Sequence, residues 1–169
     1  DFETGLDEAA LCARAADYAA VIVRSATRIT PAVLAAAKNL EVVGRAGIGV
    51  DNIDVGRATE CGVVVLNTPD ANATTTAELT IAHLLCLSRN LPRADRSVRE
   101  GKWERAALMG AEVSGKVIGV IGFGTIGRLV AARARALGMS LLVSDPFVTE
   151  EVIEAEGGQA ADLDTLLAQ

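Results

Sequence analysis

Gly122-Phe123-Gly124-Thr125-Ile126-Gly127 sets three glycines where a backbone could wrap a pyrophosphate. The residue types suit that chemistry. The first glycine permits a tight turn, the second lets the backbone approach the phosphates, and the third allows a following helix to pack closely on a strand. A helix opening at such a turn adds oriented N–H groups and the positive end of its dipole. Asp145 follows Gly122 by 23 positions, near the roughly 20 expected for an acid that accepts the hydroxyls of an adenosine ribose. A carboxylate there repels a 2′-phosphate, which favours NAD over NADP.

For these residues to meet, a strand, a turn, a helix and a second strand must follow in order. Residues 116–122 read as a buried parallel strand, and Ile126, Leu129, Val130, Ala134 and Leu137 mark one face of a helix closed by Gly138. Ser140 to Ser144 is the second strand. The same alternation runs upstream: a helix over 7–16, a strand over 20–23, then Thr30 as N-cap and Pro31 at the first position of a helix through Lys38. A strand over 40–43, a glycine-rich turn over 44–51, a short helix near 54–60, a strand over 63–66 and a loop over 67–70 follow. Thr75 and Glu78 have the spacing of a capping box, predicting a helix from there to about Ser88. Its Leu79, Ile81, Leu84, Leu85 and Leu87 cannot share one face, so a neighbouring layer or a partner subunit must cover both sides. A further helix from Asn90-Leu-Pro92 to about Glu100 carries Arg93, Arg96 and Arg99 along a solvated side. The fold class this predicts is α/β with doubly wound parallel sheets.

Half of the 169 residues are hydrophobic and 22% are charged, the composition of a soluble globular protein. Aromatics make up 3%, so Val, Leu, Ile and Ala must build the core, as helix-on-sheet layers allow. A net charge of −6 argues against a nucleic-acid partner and for a small molecule. No segment approaches the ~18 uninterrupted apolar residues of a membrane helix, no basic-then-apolar leader precedes the first helix, and no metal site is expected. Cys12, Cys61 and Cys86, without CxxC spacing, read as reduced core residues of a cytoplasmic protein. The chain opens on Asp1 rather than Met, as an excised or processed piece would.

Arg24-Ser-Ala-Thr27, the run Gly44-Arg-Ala-Gly-Ile-Gly-Val-Asp-Asn-Ile-Asp54, Asn67-Thr-Pro69, Ala77-Glu78, Gly101-Lys-Trp-Glu-Arg105 and the 122–127 turn together resemble the NAD-dependent D-2-hydroxyacid dehydrogenase family. The resemblance covers essentially the whole chain, and the first and fifth of these segments resemble the branch that acts on a phosphorylated hydroxyacid. It implies a partial flavodoxin-like substrate domain over 1–70 and a partial Rossmann NAD domain over 71–169, with the active site in the cleft between them. NAD would be held by Ile48, Gly122, Gly124, Thr125, Ile126, Gly127, Asp145 and Pro146. The substrate side would comprise Arg24, Ser25, Arg45, the carboxylate-holding turn Gly47-Ile48-Gly49, and Asn72. A doubly charged substrate needs fixed cations and a backbone nest, and arginine binds phosphate or carboxylate bidentately. The nucleotide domains of the family pair, which implies a homodimer through the 75–88 region.

Two departures from the family pattern matter. Thr125 stands where the family commonly carries arginine, so a cation over the pyrophosphate is lost. Family members also continue past residue 169 to a catalytic Arg, Glu and His, so a fragment without catalytic residues and without turnover is expected. His83, the only histidine, lies within the apolar helix and reads as a packed or interface residue, not as the acid–base that hydride transfer needs. The alternatives are a relative using lactate, glycerate or glyoxylate, or a non-catalytic nucleotide-binding or assembly module. Asn67-Thr-Pro69 and the 44–51 turn count against a methyltransferase-like protein.

Overall fold

A short polar residue stands before four of the helices in the computed structural model, which describes residues 1–169, and each accepts a backbone N–H of the turn it opens. Asp7 opens α1 (Glu8–Ala15), which leads to β1 (Ala20–Val23). Thr30, with Pro31 after it, opens α2 (Pro31–Ala36), followed by β2 (Val42–Arg45). Asp54 opens α3 (Val55–Glu60), followed by β3 (Val64–Asn67). These elements form one compact unit, Asp1–Asn72. Its sheet is parallel in the order β1-β2-β3, with Val21, Val43 and Val65 in register. Val23, Val43, Ile29, Val33, Leu34 and Ala58 are its core. Ile22, Val64 and Leu66, at the alternate strand positions, remain 81, 53 and 56% exposed.

The second unit, Ala73–Gln169, starts with two helices, α4 (Ala73–Ser88) and α5 (Leu91–Arg99). Then come β4 (Val117–Ile121), α6 (Thr125–Ala136), β5 (Ser140–Ser144), α7 (Glu150–Ala155), β6 (Gly158–Ala160) and α8 (Leu163–Leu167). The sheet is parallel in the order β4-β5-β6. Leu141, Leu142 and Val143 bury the central strand on both faces. Helices cover both sides. A Cβ on Gly127 of α6 would touch Val120, and one on Gly119 would come within 2.8 Å of Leu166 of α8. That is doubly wound packing.

Several elements differ from the sequence reading. β2 lies two residues later than 40–43, because Leu40 turns into the core and the N–H groups of Glu41 and Val42 both reach the carbonyl of Ala19. Gly44, taken as a turn, is therefore strand. α4 begins at Ala73, so Thr75 is inside the helix and caps nothing; burial of Ala73 and Ala77 sets the start, and Glu78 faces Arg133 at 3.7 Å. β4 is an edge strand with Val117 and Ile121 exposed, so only Val120 is buried. The cysteines are free; Cys12 packs against the core of the first unit, Cys86 is half-buried, and Cys61 is exposed rather than a core residue. His83 is exposed on α4 rather than packed.

Candidate functional site

β4 ends at Ile121 and the chain turns sharply into α6. Gly122 makes that turn with a φ of 89°, a conformation open to glycine, and its N–H donates to the carbonyl of Ser144 at 2.8 Å. Gly124 is the N-cap of α6 and offers no side chain, so the first N–H groups of the helix, at Thr125 and Ile126, have no side-chain acceptor. A Cβ built on Gly122 or Gly124 would meet nothing within 4 Å. Gly127 is the opposite case: a Cβ there would come 2.1 Å from the carbonyl oxygen of Gly122. The helix therefore sits on the strand end at a separation that only glycine permits.

Asp145 directly follows β5 and closes on this turn. Its Oδ2 accepts the N–H of Phe123 at 2.6 Å, and its Oδ1 accepts those of Phe147 at 2.8 Å and Val148 at 3.0 Å. The Phe123 bond above all, then those from Phe147 and Val148, with the nearby charge of Arg128, holds the carboxyl below the usual aspartate range. Three of its roughly four lone-pair directions are thus taken, and the remaining one, on Oδ2, is left for a hydroxyl. An open glycine backbone, an uncapped helix N-terminus and an ionised carboxylate fit the pyrophosphate and ribose of a dinucleotide. Gly124, Thr125 and Ile126 would hold it through N–H groups and Asp145 through its carboxylate. Pro146 and Phe147, the latter 92% exposed, follow at the same edge.

In the first unit, Arg24 and Ser25 follow β1, Arg45 ends β2, Gly47-Ile48-Gly49 follows it, and Asn67 ends β3, so all stand at the carboxyl edge of the parallel sheet. That edge is where open α/β sheets bind ligands. Two asparagines fix the loops there. Asn52, buried, donates its Nδ2 to the carbonyls of Arg24 at 3.0 Å and Thr27 at 2.7 Å. Asn67 donates to the carbonyl of Ile48 at 2.7 Å, and the Thr68 N–H to that of Gly47 at 3.0 Å. Arg45 curls over Gly47, where any Cβ would collide with its guanidinium, and its buried Nε has no partner. An unpaired buried cationic donor suits an anion. Asn72 lies five residues beyond β3, at the end of this unit.

Residues 1–163 match the D-isomer specific 2-hydroxyacid dehydrogenases, over their catalytic domain. The chain belongs to that family. It is 49% identical over 168 residues to the D-3-phosphoglycerate dehydrogenase of Archaeoglobus fulgidus, covering 99% of this chain and 32% of that enzyme. To the enzyme of the same name from Synechocystis it is 44% identical over 169 residues, covering all of this chain and 30% of the other. The chain thus spans about a third of the length of these curated relatives. Among solved structures, D-lactate dehydrogenase from Aquifex aeolicus, complexed with NAD and lactic acid, superposes with a TM-score of 0.85 at 26% identity, over 92% of this chain and 47% of that one. The family and this neighbour point to NAD(H) as the cofactor type.

Within this 2-hydroxyacid dehydrogenase chain, the structure brings Gly122 to Gly127 together with Asp145, and Arg24, Ser25, Arg45 and 47–49 along a second sheet edge. Two residues that organise those edges were not singled out by sequence: Asn52 and Arg128. An asparagine between Asp51 and Ile53, beside the glycine-rich turn, was the available signal for Asn52. Arg128 has none, since its partner Glu156 is 28 residues away.

Proposed function

We propose that residues 1–169 form the nucleotide turn and anion loops of a D-3-phosphoglycerate dehydrogenase, which oxidises the 2-hydroxyl of 3-phosphoglycerate to give 3-phosphohydroxypyruvate, the first step of serine biosynthesis. The observation that carries this reading is the placement of ionised Asp145 across the open 122–127 turn. NAD supplies the hydride acceptor when bound. Gly124, Thr125 and Ile126 bind its pyrophosphate through backbone N–H groups, and Asp145, with Pro146 beside it, takes a ribose hydroxyl and repels a 2′-phosphate. On the substrate side Arg24, Ser25 and Arg45 supply fixed positive charge and donors, Gly47, Ile48 and Gly49 supply backbone N–H groups, and Asn72 supplies a polar contact. Two arginines at one edge suit a substrate with both a carboxylate and a phosphate better than lactate.

His83 stands exposed on α4 and forms no ion pair with a carboxylate, and residues 1–169 carry no other histidine. The 169-residue chain therefore binds ligands without turning over. A second copy of the chain covers the apolar surface of α4, α5 and the segment after them, where Leu79, Leu87, Leu91, Val98, Trp103 and Met109 are all exposed. No helix is long and apolar enough to cross a membrane, and the proposed location is the cytoplasm.

Calorimetric titration with NAD tests the nucleotide half of this reading. Binding that weakens in Asp145→Ala supports it, whereas no uptake of NAD at millimolar concentration counts against it. The substrate half is tested in a full-length enzyme carrying this sequence: turnover of 3-phosphoglycerate should exceed that of glycerate, and equal rates would overturn the phosphate assignment.

A further inference from the structure

Phe123 sits between the first two glycines of the turn and is held in three ways. Its ring is fully buried, its N–H donates to Asp145, and its carbonyl accepts from Nε of Arg128 at 3.0 Å. The Arg128 guanidinium also lies over the Phe123 ring, 5.1 Å from the centroid. Helical side chains lean toward the helix N-terminus, which is why an arginine one position past Gly127 reaches back to residue 123. The far end of the same guanidinium pairs with Glu156, the C-cap of α7.

A cation in the first turns of a helix opposes the helix dipole, so Arg128 is poorly placed for α6 alone. Glu156 and the Phe123 carbonyl offset that cost, and the result is a rigid strut from α7 through α6 to the glycine turn. We infer that Arg128 is a positioning residue that fixes the Phe123 peptide, so that the 122–127 turn stands open before any nucleotide arrives. The inference rests on the dinucleotide reading only for what the turn receives. With the peptide before Phe123 held through its N–H and the peptide after it through its carbonyl, the Phe123 N–H stays committed to Asp145, and the N–H groups beyond it, at 124–126, are left for phosphate.

Arg135 provides an internal control. It is also on α6 and also grips the α7 end, donating to the Glu156 carbonyl at 2.7 Å, yet nothing links it to Phe123. If Arg128 merely anchored α7, loss of either arginine would act alike. Amide hydrogen exchange of the nucleotide-free chain separates the two. Arg128→Ala should speed exchange of the Phe123 amide about tenfold, the worth of one hydrogen bond to a charged group, relative to Leu142 in β5, and Arg135→Ala should not. Arg128→Lys, which keeps the charge but not the forked contact, should recover only part of the protection. ADP-ribose affinity should fall in parallel, by about tenfold in Arg128→Ala. Unchanged Phe123 exchange in Arg128→Ala, the same acceleration in Arg135→Ala, or full affinity in Arg128→Ala overturns the proposal. A wild-type chain that shows the exchange pattern but takes up no ADP-ribose supports the strut and sinks the dinucleotide reading instead.

Discussion

The carboxylate of Asp145 accepts the backbone N–H of Phe123 at 2.6 Å, across 22 residues of sequence. The acid that ends β5 is therefore a structural member of the glycine turn as well as its candidate ribose ligand. Turn shape and nucleotide choice share one group, and each can be probed separately.

Acid should loosen this arrangement in a defined direction. Hydrogen bonds from Phe123 first, then Phe147 and Val148, lower the folded-state carboxyl below an ordinary value of about 3.9. Its contribution is complete above that ordinary value and is lost as pH falls through the lower folded one. Urea midpoints of wild type and Asp145→Asn should thus differ by a constant amount near neutrality and converge on acidification. A gap that widens on acidification contradicts the assignment.

Two glycines of the turn should respond in opposite ways. Gly127→Ala places a methyl group against the Gly122 carbonyl and should cost about 1–3 kcal/mol or more, as overpacking does. Gly124→Ala has a φ of −74° and empty space around its Cβ, so its stability should stay within about 1 kcal/mol of wild type. Yet its methyl group would fill the space proposed for pyrophosphate, and ADP-ribose binding should fail. Chemical denaturation and titration of both variants check this, and intact binding by Gly124→Ala would remove the pyrophosphate from that space.

Asn52 should prove more sensitive to charge than to truncation. Asn52→Ala removes two hydrogen bonds to the loop that carries Arg24, a loss on the order of 1–3 kcal/mol. Asn52→Asp also faces a buried carboxylate toward two carbonyls and should destabilise more. Denaturation of both variants gives the ranking, and an aspartate as stable as wild type would refute the bonding pattern.

Self-association should run through the exposed leucines of α4. Leu87 is 79% and Leu79 57% exposed, whereas Leu84 packs against the core of its own unit. Sedimentation at tens of micromolar should show a dimer that Leu87→Glu dissociates while the fold survives. A clean wild-type monomer would contradict the proposed pairing.

The strand–turn–helix–strand order around Gly122 and Asp145 was legible because each step leaves a local mark: an apolar run, glycines, a helical stripe, a second apolar run. The cap at Thr30, with Pro31 after it, was similarly local. What escaped depends on distant partners. β2 slid toward Arg45 because neighbouring strands, not Gly44's own preference, set its extent. β6 is Gly-Gln-Ala, too short and too weakly apolar to alternate, and it exists because β5 offers it an edge. Arg128 carries no local mark, because its role depends on Phe123 and on Glu156, which folding brings beside it.

The central claim, that Asp145 selects an unphosphorylated ribose at the 122–127 turn, is tested most directly by titrating the chain with ADP-ribose and with its 2′-phosphorylated analogue. Wild type should prefer ADP-ribose by roughly ten- to a hundredfold, combining a lost charge-assisted hydrogen bond with repulsion, and Asp145→Ala should erase most of that ratio. Equal or tighter binding of the phosphorylated analogue by wild type, or an unchanged ratio in Asp145→Ala, would contradict it.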